Sequence, residues 1–168
     1  MLHPVDLHTV SPEVFRVFDE QPPLLTAGDR TACNTMTIGS CQLGRLWSQP
    51  VCTVYVRPER YTYEFMENHD YFTVAVIPAD RRDIMKLCGS KSGREVDKAA
   101  QCGLTTAYGA GDAPYFEQAE LVLVCKKLYA QDLDASHITD GGPIESFYGK
   151  AGGWHRLYIG EVVEAYSK

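Results

Sequence analysis

Apolar and polar residues follow one another in short blocks along this chain, and the blocks change period at prolines and glycines. Leu24 to Gly28 (LLTAG) predicts a first strand that turns at Gly28-Asp29-Arg30. Thr35 to Cys41, a mixture of small, hydroxyl and β-branched residues, predicts a second. Val51 to Val56 (VCTVYV) is dense in β-branched and aromatic residues and ends before Pro58, which has no N–H for a ladder. Between these two strands Leu43 to Pro50 reads as a turn-rich loop. Glu59 to Asn68 then places Tyr61, Phe65 and Met66 at helical spacing, and Asp70 ends that helix.

Tyr71 to Ile77 (YFTVAVI) predicts a strand closed by Pro78, after which Asp80 caps a helix through about Leu87. Leu104 to Thr106 predicts a short strand, and Tyr108 to Pro114 is turn-rich. Ala119 to Leu133 carries the longest strand pattern, apolar through Val124 and looser afterwards, as in a bent or bulged strand that serves two sheets. Asp134 to Tyr148 reads as a loop with one helical turn, and Leu157 to Tyr166 as the closing strand. Upstream, residues 1–23 form an N-terminal extension holding a short helix, Pro12 to Glu20, with Ser11 as its N-cap. Antiparallel strands separated by short helices, without βαβ alternation, predict a β-barrel with helical decoration.

Length and charge narrow the picture. The chain has 168 residues, enough for one domain that buries roughly two-thirds of its unfolded surface. Its net charge is -6, with Arg81-Arg82 and Lys126-Lys127 as the only basic pairs, so neither nucleic acid nor an anionic membrane surface is an expected partner. No basic start followed by an apolar run opens the chain, which predicts a cytoplasmic protein. The six cysteines are widely spread and form no CxxC pair; they read as small buried hydrophobes.

The chemistry concentrates between Asn34 and Phe65. Asn34-Thr35-Met36-Thr37 offers amide and hydroxyl groups where a core strand would carry Val or Ile, so this strand faces something polar. Arg57, Arg60, Tyr61, Thr62 and Tyr63 follow at a strand exit, a donor set suited to phosphate and equally describable as a solvated turn. Trp47, in the predicted loop, calls for cover from the core, a ligand or a second subunit.

The strings NTMTIG, LGRLWSQPV and VRPERYTYEF resemble the flavin reductase-like family of FMN-binding split barrels, most closely its flavoredoxin-type branch. CGSKSGREVDK (Cys88 to Lys98) and HRLYIGEVVEAY (His155 to Tyr166) continue the resemblance in family order, from about Leu24 to the end. It implies a six-stranded antiparallel Greek-key split barrel over residues 24–168, short peripheral helices, and a homodimer holding FMN near the subunit interface.

By that resemblance Asn34, Thr35, Met36 and Thr37 lie along the isoalloxazine, while Arg57, Arg60, Tyr61 and Thr62 sit at the phosphate end. Ser92, Gly93, Arg94 and Lys98 match a phosphate or ribityl contact, Gly93 by permitting close backbone approach. His155 matches the nicotinamide-side histidine of flavin reductases. Ser40-Cys41 stands where many relatives carry an aromatic residue and Gly, so the flavin face beside them is more open here. The implied activity is oxidoreduction, with FMN taking electrons from NAD(P)H or another donor and passing them to a flavin, metal or protein acceptor. Its rivals are an FMN electron carrier with no nicotinamide site and a split barrel for another cofactor, such as haem, or for none.

Overall fold

Eight strands form one antiparallel sheet whose two ends are consecutive in the chain. The structure, a computed structural model, describes residues 3–4, 20–149 and 153–168; the expected helix Pro12 to Glu20 lies outside them except for its last residue. In chain order the strands are β1 (His3–Pro4), β2 (Leu24–Gly28), β3 (Cys33–Thr37), β4 (Cys41–Leu46), β5 (Gln49–Val56), β6 (Tyr71–Val76), β7 (Thr106–Tyr108), β8 (Pro114–Phe116), β9 (Leu121–Asp132) and β10 (Arg156–Ser167). The helices are α1 (Tyr61–Asn68), α2 (Arg82–Ser90), α3 (Lys98–Cys102) and α4 (Gly142–Tyr148). Neighbours run β3-β2-β6-β9-β10-β5-β4, with β1 added on to β10 and β7-β8 as a separate pair. Curled on itself, with its two ends joined by residues 38–40 and not by a ladder, this sheet is the expected split barrel.

The main sheet has two strands more than expected. Segment 43–50 is mostly strand: β4 and β5 form a hairpin in register Leu46↔Gln49, closed by Trp47 and Ser48, both at positive φ (50° and 63°). Two consecutive left-handed residues make a tight hairpin turn whose twist suits the flanking strands. The second predicted strand, Thr35 to Cys41, is accordingly cut in two at Ile38 to Ser40. Trp47 is 59% exposed with its edge toward Tyr129, 6.4 Å between centroids, so the core does not cover it.

The long β9 serves one sheet and not the two expected, pairing with β6 along its first half and with β10 along its whole length; the expected bulging is present, as its ladder to β10 shifts register at Ile159/Gly160 and Val162/Glu164. A side chain at Gly160 would place its Cβ 2.6 Å from the Phe72 ring; glycine there lets Phe72 fill the barrel interior with Leu25, Val54, Val56, Met66, Leu123 and Tyr158. A second cluster, Leu24, Ile77, Ile84, Cys88, Phe116, Val122 and Val124, seals α2, α3 and the β7-β8 hairpin to the outside of the sheet. That packing fixes the helix ends and loop 91–97 over the mouth of β3.

Among the described residues no helix is long and apolar enough to cross a membrane. All six cysteines are free; Cys52, Cys88, Cys102 and Cys125 are buried, and Cys33 and Cys41 are half-buried.

Candidate functional site

Where the end of β3, the start of α1 and the α2-α3 connection converge, they leave a cleft of about 250 Å³. Asn34, Met36 and Thr37 line it from β3, Arg60, Tyr61 and Thr62 from the N-cap and first turn of α1, Ser92 and Gly93 from the connection, and Lys98 from the start of α3. Nine of the fifteen residues proposed from sequence thus meet in one place, although they come from three separated stretches. The lining also includes Glu59, Cys88, Gly89, Ser90, Lys91 and Glu95. The last five lie inside or beside the string Cys88 to Lys98, whose run of small and polar residues is the signal for them.

Lys98 is the centre of this arrangement. Asp97 caps the five-residue α3 by accepting from the Ala100 N–H (3.0 Å), which turns the Asp97 carboxylate outward and starts the helix with Lys98 pointing in. The Lys98 side chain is 5% exposed. Its Nζ donates to the main-chain carbonyls of Thr35 (2.8 Å) and Cys88 (2.9 Å), tying β3 to α2, and it makes no ion pair among the described residues. An ammonium has three N–H groups, so one remains for the cleft. Burial pulls the Lys98 pKa down, and the nearby Arg60 guanidinium pulls it the same way. Two cations therefore share one cleft; Glu59 and Glu95 line it too, but neither pairs with the buried Lys98, an arrangement that is costly unless an anion completes it.

Smaller donors surround them. Asn34 donates from Nδ2 to the Thr62 hydroxyl (2.8 Å), which leaves the Thr62 proton free to donate. Ser92 Oγ accepts from the Arg94 N–H (3.2 Å) and likewise keeps its own proton. Gly93 presses its main chain on Asn34 and Tyr61: a Cβ there would lie 1.9 Å from Asn34 Oδ1 and 3.0 Å from Tyr61 Cδ1. Behind this wall lies a second cavity of about 460 Å³, which shares Asn34, Tyr61, Gly93 and Lys98 with the first.

Six of the fifteen candidates stand elsewhere. Thr35 turns its hydroxyl inward, accepting from Thr26 Oγ1 (2.9 Å) and donating to the Leu25 carbonyl (3.2 Å), so only its carbonyl serves the cleft, through Lys98. Arg94 lies over the Tyr61 ring and pairs with Glu64, clamping the loop to α1 from outside. Ser40 is exposed. Cys41 Sγ sits 3.4 Å from Cys52 Sγ; that hydrogen bond first, then burial, pushes the Cys41 thiol pKa far up, which makes it a poor nucleophile.

Arg57 and His155 form a cluster of their own at the cleft's rim. Antiparallel pairing of β5 with β10, in register Val56↔Arg156, brings them side by side. Arg57 lies over the rings of Phe147 (5.2 Å) and Tyr148 (5.1 Å) of α4, and His155 Nδ1 is 2.6 Å from the Tyr148 hydroxyl. Burial first, then the charge of Arg57, holds the His155 imidazole below its ordinary 6.5. The folded chain thus binds fewer protons than the unfolded one just under pH 6.5, and the stability this represents is present above 6.5 and lost as pH falls through the lowered value. The melting temperature of the wild type should therefore drop relative to His155→Gln between pH 7 and pH 5; a constant difference would show that His155 does not titrate this way.

Residues 15–168 match the flavin reductase like domain. The chain belongs to the flavin reductase-like family. Solved structures agree on the fold of this family member. An FMN-binding domain of a flavin reductase-like enzyme from Shewanella baltica superposes with a TM-score of 0.69 at 21% identity, over 99% of this chain and 77% of that one. Flavoredoxin from Methanosarcina acetivorans gives 0.68 at 23%, over 88% and 69%. Flavoredoxin of Desulfovibrio vulgaris gives 0.67 at 21%, over 88% and 70%. No protein of curated function matches the chain in sequence. In this flavin reductase-like chain, the cleft at the end of β3 is the place where a cationic and hydroxyl donor set has been assembled.

Proposed function

We propose that this chain binds FMN in the β3-α1-α3 cleft and serves as an oxidoreductase that passes electrons from NAD(P)H to a flavin, metal or protein acceptor. The observation that carries the reading is Lys98: a buried ammonium, held by two carbonyls, in no ion pair among the described residues, and seconded by Arg60. The donor set fits a phosphomonoester. Lys98 and Arg60 supply charge, Ser92 and Thr62 supply hydroxyl protons, and Gly93 leaves a wall that a side chain would fill. Met36 adds apolar surface along the same cleft. When bound, FMN supplies the hydride and electron chemistry that no side chain here possesses. The protein's part is to bind the phosphate and to orient the ring.

Anaerobic titration of FMN-loaded protein with NADH and NADPH tests the activity: bleaching of the flavin band by either is expected. A flavin that stays oxidised with both would assign the chain to electron transfer from another donor.

We also propose a homodimer. Leu46, Trp47, Leu128 and Tyr129, all exposed, adjoin through the Trp47-Tyr129 contact, and a solvated Trp at a strained hairpin tip is what a subunit interface of about 1,600 Å² in total would shelter. Light scattering should give a dimer mass for the wild type and a monomer mass for Trp47→Glu at the same concentration. A monomeric wild type would remove this assembly.

A further inference from the structure

The rim cluster contains a contact that no role of the cleft requires. Tyr148, the last residue of α4, is stacked on Trp154 (4.3 Å between centroids, 19° between planes) and has Arg57 over its ring. Its hydroxyl lies 2.6 Å from His155 Nδ1. The Phe147 ring stacks on the imidazole (6.0 Å, 25°). His155 is thus fixed by one hydrogen bond and one ring face.

With the imidazole neutral at pH 7, two neutral partners share this bond. Phenol is the better donor and an imidazole nitrogen the better acceptor, so Tyr148 O–H donates to Nδ1 and the single ring proton resides on Nε2. That makes Nε2–H a donor of fixed orientation. The cluster is coupled to the cleft: Arg57, Glu59 and Arg60 are the charged groups that act on His155, and Glu59 and Arg60 line the cleft.

We propose that Tyr148 is a positioning residue, which holds His155 in the Nε2–H form so that the ring donates to the carboxamide oxygen of a nicotinamide beside the flavin. The proposal rests on the reading of His155 as the nicotinamide contact. Hydride transfer needs that ring held near its attack geometry, so loss of the Tyr148 hydroxyl costs rate while FMN affinity, which rests on Lys98, Arg60 and the hydroxyls of the cleft, is unaffected.

Tyr148→Phe and His155→Ala provide the test. In the flavin-free protein, nitrogen NMR of His155 should show the Nε2–H tautomer in the wild type. In Tyr148→Phe it should show a mixture and a higher imidazole pKa, because the bond that favours the neutral ring is gone while Arg57, Glu59 and Arg60 remain. In the loaded protein, stopped-flow reduction by the better of NADH and NADPH should slow about threefold to tenfold in Tyr148→Phe, the worth of one hydrogen bond, with FMN affinity unchanged. A wild-type Nδ1–H tautomer, or a Tyr148→Phe variant with wild-type tautomer and rate beside a slowed His155→Ala, overturns the proposal alone. Wild-type rates in His155→Ala, or a wild type that neither nucleotide reduces, overturn the nicotinamide reading and the proposal with it.

Discussion

Lys98→Met binds FMN at least tenfold more weakly than the wild type and remains folded. Hydrogen bonds to a charged group contribute roughly 1.5–3 kcal/mol each, and every 1.4 kcal/mol is about a factor of ten in affinity, so losing the ammonium's contact with a phosphate alone accounts for one to two orders of magnitude. Removal has opposing effects on the fold. The carbonyls of Thr35 and Cys88 lose their common donor, whereas the desolvation of a buried, unpaired cation is relieved. These offset each other in part, so thermal unfolding should stay cooperative and the loss should appear in binding. Flavin fluorescence titration reads the affinity and circular dichroism the melt. Unchanged affinity in a folded Lys98→Met would place the phosphate elsewhere.

Gly93→Ala has the second large effect, and it strikes both fold and site. The added Cβ would fall 1.9 Å from Asn34 Oδ1 and 2.8 Å from Asn34 Cγ, far inside contact distance. Asn34 is not free to swing away, since Nδ2 is engaged by Thr62 and its main chain belongs to the β3 ladder. Loop 92–96 has to lift off β3 instead, carrying Ser92 with it and opening the wall between the two cavities. Overpacking of this kind costs about 1–3 kcal/mol, or roughly 5 °C in melting temperature for a domain of this size, and FMN affinity should fall at least as far as in Lys98→Met. Gly89→Ala is the contrast: its Cβ would meet Thr37 Cβ at 3.3 Å, a contact that a few tenths of an ångström relieve, so near-wild-type stability is expected. Equal losses at the two glycines would mean that the loop yields more readily than the Asn34-Thr62 pair implies.

What could be read in the sequence divides along the same physical line in fold and site. Stretches whose meaning is local were legible: LLTAG is β2 without change, and VCTVYV forms most of β5 and stops ahead of Pro58, while Ser92, Gly93 and Lys98 share one cleft with Asn34 and Thr62. The hairpin of β4 and β5 was missed because its turn carries Trp-Ser, where the usual signal for two left-handed residues is Asn-Gly or Asp-Gly. Pro50 reinforced the error; it is tolerated inside β5 opposite Arg45 of the edge strand β4. Asp80 is the expected helix cap, but the N-cap of α2 is the next residue, Arg81, and it makes no side-chain cap hydrogen bond.

In the site, the inward turn of the Thr35 hydroxyl follows from strand alternation against Thr26 of β2, a register known only once the strands pair. Arg57 and His155 are separated by nearly a hundred positions and meet through the β5-β10 ladder. Composition showed that Arg57 could bind phosphate. It could not show that two aromatic rings of α4 already occupy it.

The central claim is that the cleft is built for the phosphate of a flavin mononucleotide, and comparison of FMN with riboflavin tests it most directly. The two share the ring and ribityl chain and differ only in the group that Lys98 and Arg60 would bind. Fluorescence titration of flavin-free protein should show one FMN per chain and an affinity for FMN at least tenfold above that for riboflavin, with the advantage lost in Lys98→Met. Equal affinity for the two flavins, or none for either, would contradict it.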